Sequence, residues 1–168
     1  QKDHMTILIK NKHTLQIDEF KFRCCIGKNG STVNKKEGDK KTPKGTFEIE
    51  HLYFRKDRKK EPLTLLKCIE IKKNMGWCDD VRFPGKYNKL CKIEKNIKSE
   101  KLKRKDSKYD LLIPIKYNFK KPVSGLGSCI FIHLTKNYKP SAGCVALKEK
   151  DFLIMLKLIK KNSKIKII

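Results

Sequence analysis

A histidine and a cysteine in the last third of the sequence are the residue types that could form a nucleophilic pair. His133 interrupts the apolar run Ile130–Leu134, and Cys144 follows eleven residues later. A thiol with its ordinary pKa of about 8.5 is only a few per cent ionised at neutral pH. A nearby imidazole can accept the thiol proton and produce the thiolate, which attacks acyl groups. The pair therefore predicts acyl transfer through a covalent intermediate; a structural histidine and a buried structural cysteine are the other interpretation.

Small residues precede the cysteine and leave its backbone uncrowded. The segment Ser141-Ala142-Gly143 contains no bulky side chain. The amides of Gly143 and Cys144 could therefore converge on an oxyanion that develops during acyl transfer. The spacing of His133 and Cys144 does not by itself distinguish the two interpretations, so the elements that position them matter.

Around this pair, the apolar pattern predicts a mainly β fold. Alternating or continuous apolar runs predict strands at Met5–Lys10, Phe20–Ile26, Phe47–Leu52, Leu63–Ile71, Tyr109–Asn118, Cys129–Thr135 and Lys164–Ile168. Within the strand that contains His133, alternation places the imidazole on the face opposite Ile130, Ile132 and Leu134. A strand, a loop and a return of the chain could bring His133 and Cys144 together.

One helix and three irregular segments complete the predicted order. Apolar residues at helical spacing predict the helix over Lys148–Lys160. Gly27–Thr46 is rich in Gly, Lys, Asn and Asp, which predicts a long exposed loop. Asn74–Leu90 predicts a structured loop, and Lys92–Lys108 predicts a charged surface helix or loop. Because no repeat or linker interrupts this order, residues 1–168 are predicted to form a single domain.

Charge and hydropathy exclude or disfavour several classes of protein. The 42 Lys and Arg residues against 18 Asp and Glu residues give a net charge of +24. Lysines are spread through nearly every segment, which favours a solvated surface over a nucleic-acid partner with clustered basic and aromatic residues. No apolar run approaches the roughly 20 residues of a membrane-spanning helix, so no transmembrane segment is expected.

The seven cysteines do not follow the spacing of a metal site. No C-x-x-C pair occurs, which argues against a zinc ribbon or finger, and neither a metal nor another cofactor is expected. Most of the cysteines lie within apolar runs and are predicted to be buried small hydrophobic residues rather than a disulfide framework.

Several blocks of the sequence resemble the L,D-transpeptidase catalytic-domain (YkuD-like) family. The segment Ser141–Leu147 and the preceding Ile130–His133 are similar to the family's [S/T]-x-G-C nucleophile motif and its histidine strand. Glu37–Phe47 is similar to an upstream T-P-x-G-x-[FY] turn. Shorter blocks resemble a branch of the family: Phe54–Arg58, Gly76–Asp80, Tyr87-Asn88 and Tyr117-Asn118. The resemblance extends from Phe20 to about Leu158 and implies a β-sandwich or barrel with one helix after the nucleophile motif.

The resemblance also implies roles for individual residues. The implied catalytic set is Cys144 as nucleophile, His133 as general base and acid, Gly143 as an oxyanion donor, and Leu134 through the main-chain oxygen that orients the histidine ring. The expected substrate contacts are Ser141, Tyr117 and Trp77, although residue type favours a core or loop anchor for Trp77 over a platform for sugar. The implied partner is a peptidoglycan stem peptide and not a nucleic acid, which places the protein in the cell envelope.

The implied reaction begins when Cys144 attacks the amide between a diamino acid and a terminal D-alanine. The acyl-enzyme then passes to an amine of a second stem or to water. Two positions depart from the family: Ala142 and Ala146 stand where many members carry a histidine and an arginine. A substrate carboxylate would then need another cation, for which Arg55, Arg58 or a lysine are candidates.

Three alternatives to an L,D-transpeptidase stay open from the sequence. The first is an L,D-carboxypeptidase that uses water as the acceptor. The second is a catalytically inactive basic module that binds wall polymer or nucleic acid. The third is a cysteine peptidase or acyltransferase that acts on proteins. The sequence does not indicate an oligomeric state, and seven thiols are unusual in the oxidising cell envelope.

Overall fold

The computed structural model describes residues 6–168, which form fifteen strands and one helix. Met5, the first residue of the first predicted strand, lies outside the described residues. In chain order the strands are β1 (Thr6–Lys10), β2 (Thr14–Ile17), β3 (Phe20–Arg23), β4 (Ser31–Thr32), β5 (Thr42–Pro43), β6 (Gly45–Glu48), β7 (Leu52–Phe54), β8 (Cys68–Glu70), β9 (Met75–Cys78), β10 (Leu90–Lys92), β11 (Ser99–Lys101), β12 (Leu111–Pro114), β13 (Phe131–Leu134), β14 (Val145–Leu147) and β15 (Lys164–Ile167). The helix α1 (Glu149–Leu158) lies between β14 and β15.

The first sheet has the strand order β3-β2-β1-β15-β6 and joins the two ends of the described chain. A hairpin links β1 to β2 through Asn11 and Lys12, whose φ angles of 47° and 66° are those of the turn that matches strand twist. The sequence prediction missed β2. Strand β15 pairs in parallel with β1 and antiparallel with β6, so the last strand completes the sheet.

The second sheet has the order β14-β13-β12-β7-β8 and is buried on both faces. Every residue of β12 and β13 is buried, which explains why these segments are apolar at successive positions rather than alternating. One face, which includes Ile132 and Leu134, packs with the first sheet and α1 in the main core. The other face, which includes Phe131, packs in a second core with Trp77 and Tyr109. The fold is therefore mainly β and sandwich-like, as predicted, and its sheets do not close into a barrel.

A third sheet covers the second core and lies where the sequence predicted irregular structure. Its order is β10-β9-β11. The predictions of a loop for Asn74–Leu90 and of a surface helix or loop for Lys92–Lys108 were wrong here. The three strands have three or four residues each and contain Gly76 and several charged residues, so they lack a clear apolar alternation. A smaller two-stranded pairing, β4 with β5, lies within the predicted loop Gly27–Thr46.

The other predicted elements differ from the structure mainly in their bounds. The strand predicted over Phe47–Leu52 was wrong as one element, because it covers the end of β6 and the start of β7, which belong to different sheets. The strand predicted over Leu63–Ile71 contains only β8, because Leu63 and Leu65 are 75% and 63% exposed. The helix predicted over Lys148–Lys160 is present as α1, which buries Phe152, Met155 and Leu156 against the main core. The helix follows β14 directly and thereby fixes the strand that comes after the nucleophile motif.

Candidate active site

The register between β13 and β14 places His133 and Cys144 on the same face of the second sheet. The two strands are parallel, and His133 pairs with Ala146. Paired residues project to the same face, and Cys144 is two residues before Ala146, so its side chain also lies on that face. Cys144 accordingly belongs to the second core, with Phe131. His133 and Cys144 both line a cavity of about 930 Å³.

The His133 ring is held in one orientation and one tautomer. Its Nδ1 lies 2.8 Å from the main-chain oxygen of Leu134, and its ring contacts the ring of Tyr109 with centroids 5.3 Å apart. Because a carbonyl oxygen can only accept, this bond assigns the proton to Nδ1 and leaves Nε2 with a free lone pair. Burial lowers the pKa of His133 to about 4, so the imidazole is neutral near pH 7.

The Cys144 thiol is protonated in the resting site. Burial raises the pKa of this thiol to about 12, although the main-chain amide of Phe131 acts in the opposite direction. The Phe131 amide nitrogen donates to Sγ at 3.4 Å, and Sγ donates to the main-chain oxygen of Cys129 at 3.2 Å. The resting pair is therefore a neutral thiol and a neutral imidazole rather than a thiolate and an imidazolium.

The Ser141 hydroxyl closes the turn that presents the cysteine. Its Oγ donates to the main-chain oxygen of Cys144 at 2.7 Å and accepts from the Gly143 amide at 3.1 Å. Gly143 has a φ of 141°, and a Cβ at this position would lie 2.9 Å from the main-chain oxygen of Lys41. Only glycine fits there. The Gly143 amide, predicted as an oxyanion donor, is directed at Ser141 in this structure.

The three residues expected to contact substrate lie in different places. Ser141 lines the cavity, as do Leu134 and Cys144, but Trp77 and Tyr117 do not. Trp77 is 3% exposed and donates through Nε1 to Asn88 Oδ1 at 2.9 Å, so it is a core anchor. The Tyr117 hydroxyl donates to the main-chain oxygen of Leu126 at 2.6 Å and supports a loop. Of the three residues, only Ser141 therefore belongs to the lining of the cavity.

Both signs of charge line the cavity, and sequence reasoning missed most of the residues that carry them. The acidic side chains in the lining are Glu37, Asp79, Asp106 and Glu100, and the basic ones are Lys35, Arg58, Arg104, Lys105, Lys108, Lys136 and Lys139. Burial raises the pKa of Glu100 and of Asp79. Asp79 Oδ1 is buried without a hydrogen-bond partner among the described residues. A substrate with both cationic and anionic groups would complement this lining.

The two arginines considered as substrate anchors are held by other groups. Arg55 forms two 2.8 Å bonds to Asp57 and does not line the cavity. Arg58 lines the cavity, but its guanidinium donates to Asp110 at 2.9 Å and to three main-chain oxygens of the segment 104–106. Arg55 also donates to the main-chain oxygen of Arg104 at 2.6 Å, so both arginines hold the segment after β11, which contributes several residues to the cavity lining.

Three further observations concern metal binding, the state of the cysteines and the length of the helix. Among residues 6–168, no three His, Cys, Asp or Glu side chains are placed to hold a metal ion. All seven cysteines are free thiols, and Cys24, Cys25, Cys78 and Cys144 are buried. The one helix in this part of the chain is too short to cross a membrane.

Comparison with known proteins identifies the class to which this fold and site belong. A family model for the YkuD L,D-transpeptidase catalytic domain matches residues 1–167. The chain therefore belongs to this family, as the sequence motifs predicted.

A solved structure shares the fold. The structure of Bd1075 from Bdellovibrio bacteriovorus is similar with a TM-score of 0.52 and 17% sequence identity. The alignment covers 98% of this chain and 48% of that one, so this chain spans about half the length of its structural relative. No curated protein matches the sequence.

Proposed function

We propose that this protein transfers the acyl group of a peptidoglycan stem peptide through a thioester on Cys144, with His133 as the general base and acid. The observation that carries the proposal is the position of both side chains on one face of the second sheet and in one cavity. The Leu134 oxygen supports it, because the bond to Nδ1 leaves Nε2 available to accept a proton.

The neutral resting pair determines the order of events in the acylation step. The pKa values of about 12 for Cys144 and about 4 for His133 mean that a free thiolate is rare at neutral pH. Proton transfer from Sγ to Nε2 therefore accompanies the attack of sulfur on the substrate carbonyl carbon. The tetrahedral intermediate collapses when its C–N bond breaks, and the amine of the leaving D-alanine takes the proton from His133. A thioester on Cys144 remains.

The second half of the reaction restores the thiol. An acceptor amine or a water molecule gives a proton to Nε2 of His133 and attacks the thioester carbonyl. The C–S bond breaks, and His133 returns the proton to Sγ of Cys144. An amine acceptor gives a cross-link, and water gives L,D-carboxypeptidase activity. Both outcomes use the same two residues and the same acyl-enzyme.

The oxyanion of the intermediate requires a small rearrangement at the nucleophile motif. The Cys144 amide and the Gly143 amide are the donors nearest in sequence to the reacting sulfur. Because the Gly143 amide is bound to Ser141 Oγ in the resting site, the oxyanion would replace the hydroxyl as its acceptor. The charge of the oxyanion makes this exchange favourable, because a charged acceptor binds more strongly than a neutral hydroxyl.

The mixed charge of the cavity supports a stem peptide as substrate. Such a peptide carries free carboxylates and, at its diamino acid, an ammonium group. Lys108, Lys136 and Lys139 can face the carboxylates, and Glu100 and Asp79 can face the ammonium. A substrate in the cell wall also implies that the protein works outside the cytoplasm.

The decisive experiment is intact-mass analysis of the protein incubated with purified tetrapeptide muropeptides. We expect an acyl adduct on the peptide that contains Cys144, together with release of D-alanine. The Cys144→Ala variant should lose the adduct and at least 10³-fold in turnover, because the nucleophile is gone. Retention of turnover by that variant would overturn the proposal.

A matched control replaces a cysteine outside the cavity. Cys91 is a free thiol on β10 and does not line the cavity. The Cys91→Ala variant should keep the adduct on Cys144 and the activity. Analysis of the released muropeptides then separates a cross-linked dimer from a tripeptide, and therefore transpeptidase from carboxypeptidase activity.

A further inference from the structure

A lysine of the segment between β4 and β5 is buried beside the nucleophile motif. The Lys35 side chain is 3% exposed. Its Nζ forms an ion pair with Asp39 Oδ1 and donates to the main-chain oxygen of Lys36 at 3.0 Å. Its stem packs so closely on Gly127 that a Cβ there would lie 2.9 Å from Cγ of the lysine. A buried ammonium is costly unless it is paired, so this arrangement needs each of these partners.

The position of the Asp39 carboxylate is fixed by the backbone of the same segment. Oδ2 accepts from the Lys36 amide and Oδ1 accepts from the Lys41 amide, both at 2.9 Å. The Lys35 ammonium and these amides lower the pKa of Asp39, so it stays ionised. The segment Lys35–Lys41 is therefore a turn built around one carboxylate, and this turn holds the ammonium in place.

The Lys35 ammonium is close to the residue that precedes the nucleophile. Its Nζ lies 3.7 Å from the position that a Cβ on Gly143 would occupy, and Lys35 lines the same cavity as Cys144. An ammonium has three N–H donors, and contacts among the described residues use two of them. The positive charge of Lys35 is thus held next to Gly143, whose amide is a proposed oxyanion donor.

We propose that Lys35 is a positioning residue of this site, whose buried ammonium favours the negative charge that forms on Cys144 and on the oxyanion beside Gly143. The proposal rests on the proposed role of Cys144 as nucleophile. It gives a function to a cation that does not belong to the sequence motif around the cysteine.

Among the charged groups around Cys144, Lys35 shifts the pKa of the thiol in the opposite direction to Glu100 and Cys25. The titratable groups facing Cys144 are Cys25, Lys35, Glu100, Tyr109, Cys129 and His133. Burial, Glu100 and Cys25 raise the pKa of the thiol, whereas Lys35 lowers it. In a site of low dielectric, the loss of one such charge changes the ionised fraction by roughly tenfold.

The test measures the rate at which iodoacetamide alkylates Cys144 as a function of pH. Mass spectrometry distinguishes the peptide that contains Cys144 from the peptides that contain the other six cysteines. Lys35→Met should slow alkylation by roughly tenfold and move its pH profile to higher pH. Lys35→Arg should restore most of the rate. Asp39→Asn removes the counter-charge of the lysine and should speed alkylation.

The opposite signs of the two substitutions distinguish a charge effect from a structural one. If the ion pair only held the loop, Lys35→Met and Asp39→Asn would change the alkylation rate in the same direction. That result would overturn the proposal, as would an unchanged pH profile in Lys35→Met. If Lys35→Met does not fold, the Asp39→Asn variant still decides, because slower or equal alkylation contradicts the proposal.

Lys36→Met is the matched control, because Lys36 is the exposed neighbour of Lys35 and carries the same charge. It should leave the pH profile unchanged. The alkylation assay contains no peptide substrate, so its result does not depend on the substrate class. If Lys35 behaves as expected while muropeptides are not turned over, the stem-peptide assignment fails and the role of Lys35 stands.

Discussion

The two faces of the second sheet are both buried, yet their side chains serve different purposes. On the face toward the first sheet, Ile132 and Leu134 of β13 pack with other aliphatic residues and α1. On the opposite face, Phe131 and His133 meet aromatic rings, a thiol and charged groups. The first face contributes stability through apolar burial alone, whereas the second keeps polar groups in a low-dielectric setting that alters their pKa values. Adjacent residues of one strand can therefore be tested for separate roles.

Among the predictions that compare the two faces, the largest expected effect comes from removing the proposed base on the polar face. His133→Gln should lower kcat/KM on muropeptides by about 10²- to 10⁴-fold, because Nε2 no longer accepts the thiol proton. Steady-state kinetics would measure the loss, and the melting temperature should not fall by a comparable amount. Activity near that of the original protein would remove the functional distinction between the two faces.

Substitution of the neighbouring residue Ile132 should lower the stability of the fold and leave the chemistry of Cys144 unchanged. Ile132 is completely buried on the aliphatic face, and Ile132→Ala should lower the free energy of unfolding by about 2–5 kcal/mol. Urea denaturation would measure this change. The folded fraction should keep the alkylation profile of Cys144, and a shifted profile would show that the two faces are not independent.

The buried imidazole should also make stability depend on pH. The folded protein lowers the pKa of His133 from 6.5 to about 4, so between these values the unfolded chain binds more protons. This contribution is complete above pH 6.5 and is lost as the pH falls toward 4, amounting to about 3 kcal/mol. It is measured as the difference between the pH–stability curves of the original protein and His133→Gln. Parallel curves would contradict the buried neutral state.

The smallest expected effect concerns the hydroxyl that closes the nucleophile turn. Ser141→Ala removes the bonds to the Cys144 oxygen and the Gly143 amide and should lower the free energy of unfolding by about 1–2 kcal/mol. Ser141→Thr, which keeps the hydroxyl, should recover most of it. Differential scanning calorimetry would compare the three proteins; equal melting temperatures would show that the turn does not need this side chain.

Local patterns were sufficient to predict the strand that carries the histidine. Alternation correctly placed His133 opposite Ile132 and Leu134, because a residue's face in a strand follows from its position alone. The helix after the nucleophile motif was predictable for the same reason, since its apolar residues recur at helical spacing. Residue types already indicated Cys144 as a possible partner of His133, and the family motifs favoured the catalytic interpretation of the pair over the structural one.

The walls of the cavity could not be predicted in this way, because long-range contacts determine them. Lys35 lies in a segment predicted to be an exposed loop, yet its ion pair with Asp39 and its contact with Gly127 bury it. Arg104 and Lys108 lie in a segment without apolar periodicity that Arg58 holds against the rest of the fold. For Trp77, the sequence left a core anchor and a substrate contact open, and packing against Tyr53 and Phe131 makes it a core residue.

The protonated state of the Cys144 thiol also determines how readily its sulfur is oxidised. Peroxides and disulfides react with thiolates, so a thiol whose pKa is about 12 is oxidised slowly at neutral pH. The buried Cys24 has a similarly raised pKa and shares this resistance. The same burial that keeps the Cys144 thiol protonated therefore also protects its sulfur from oxidation.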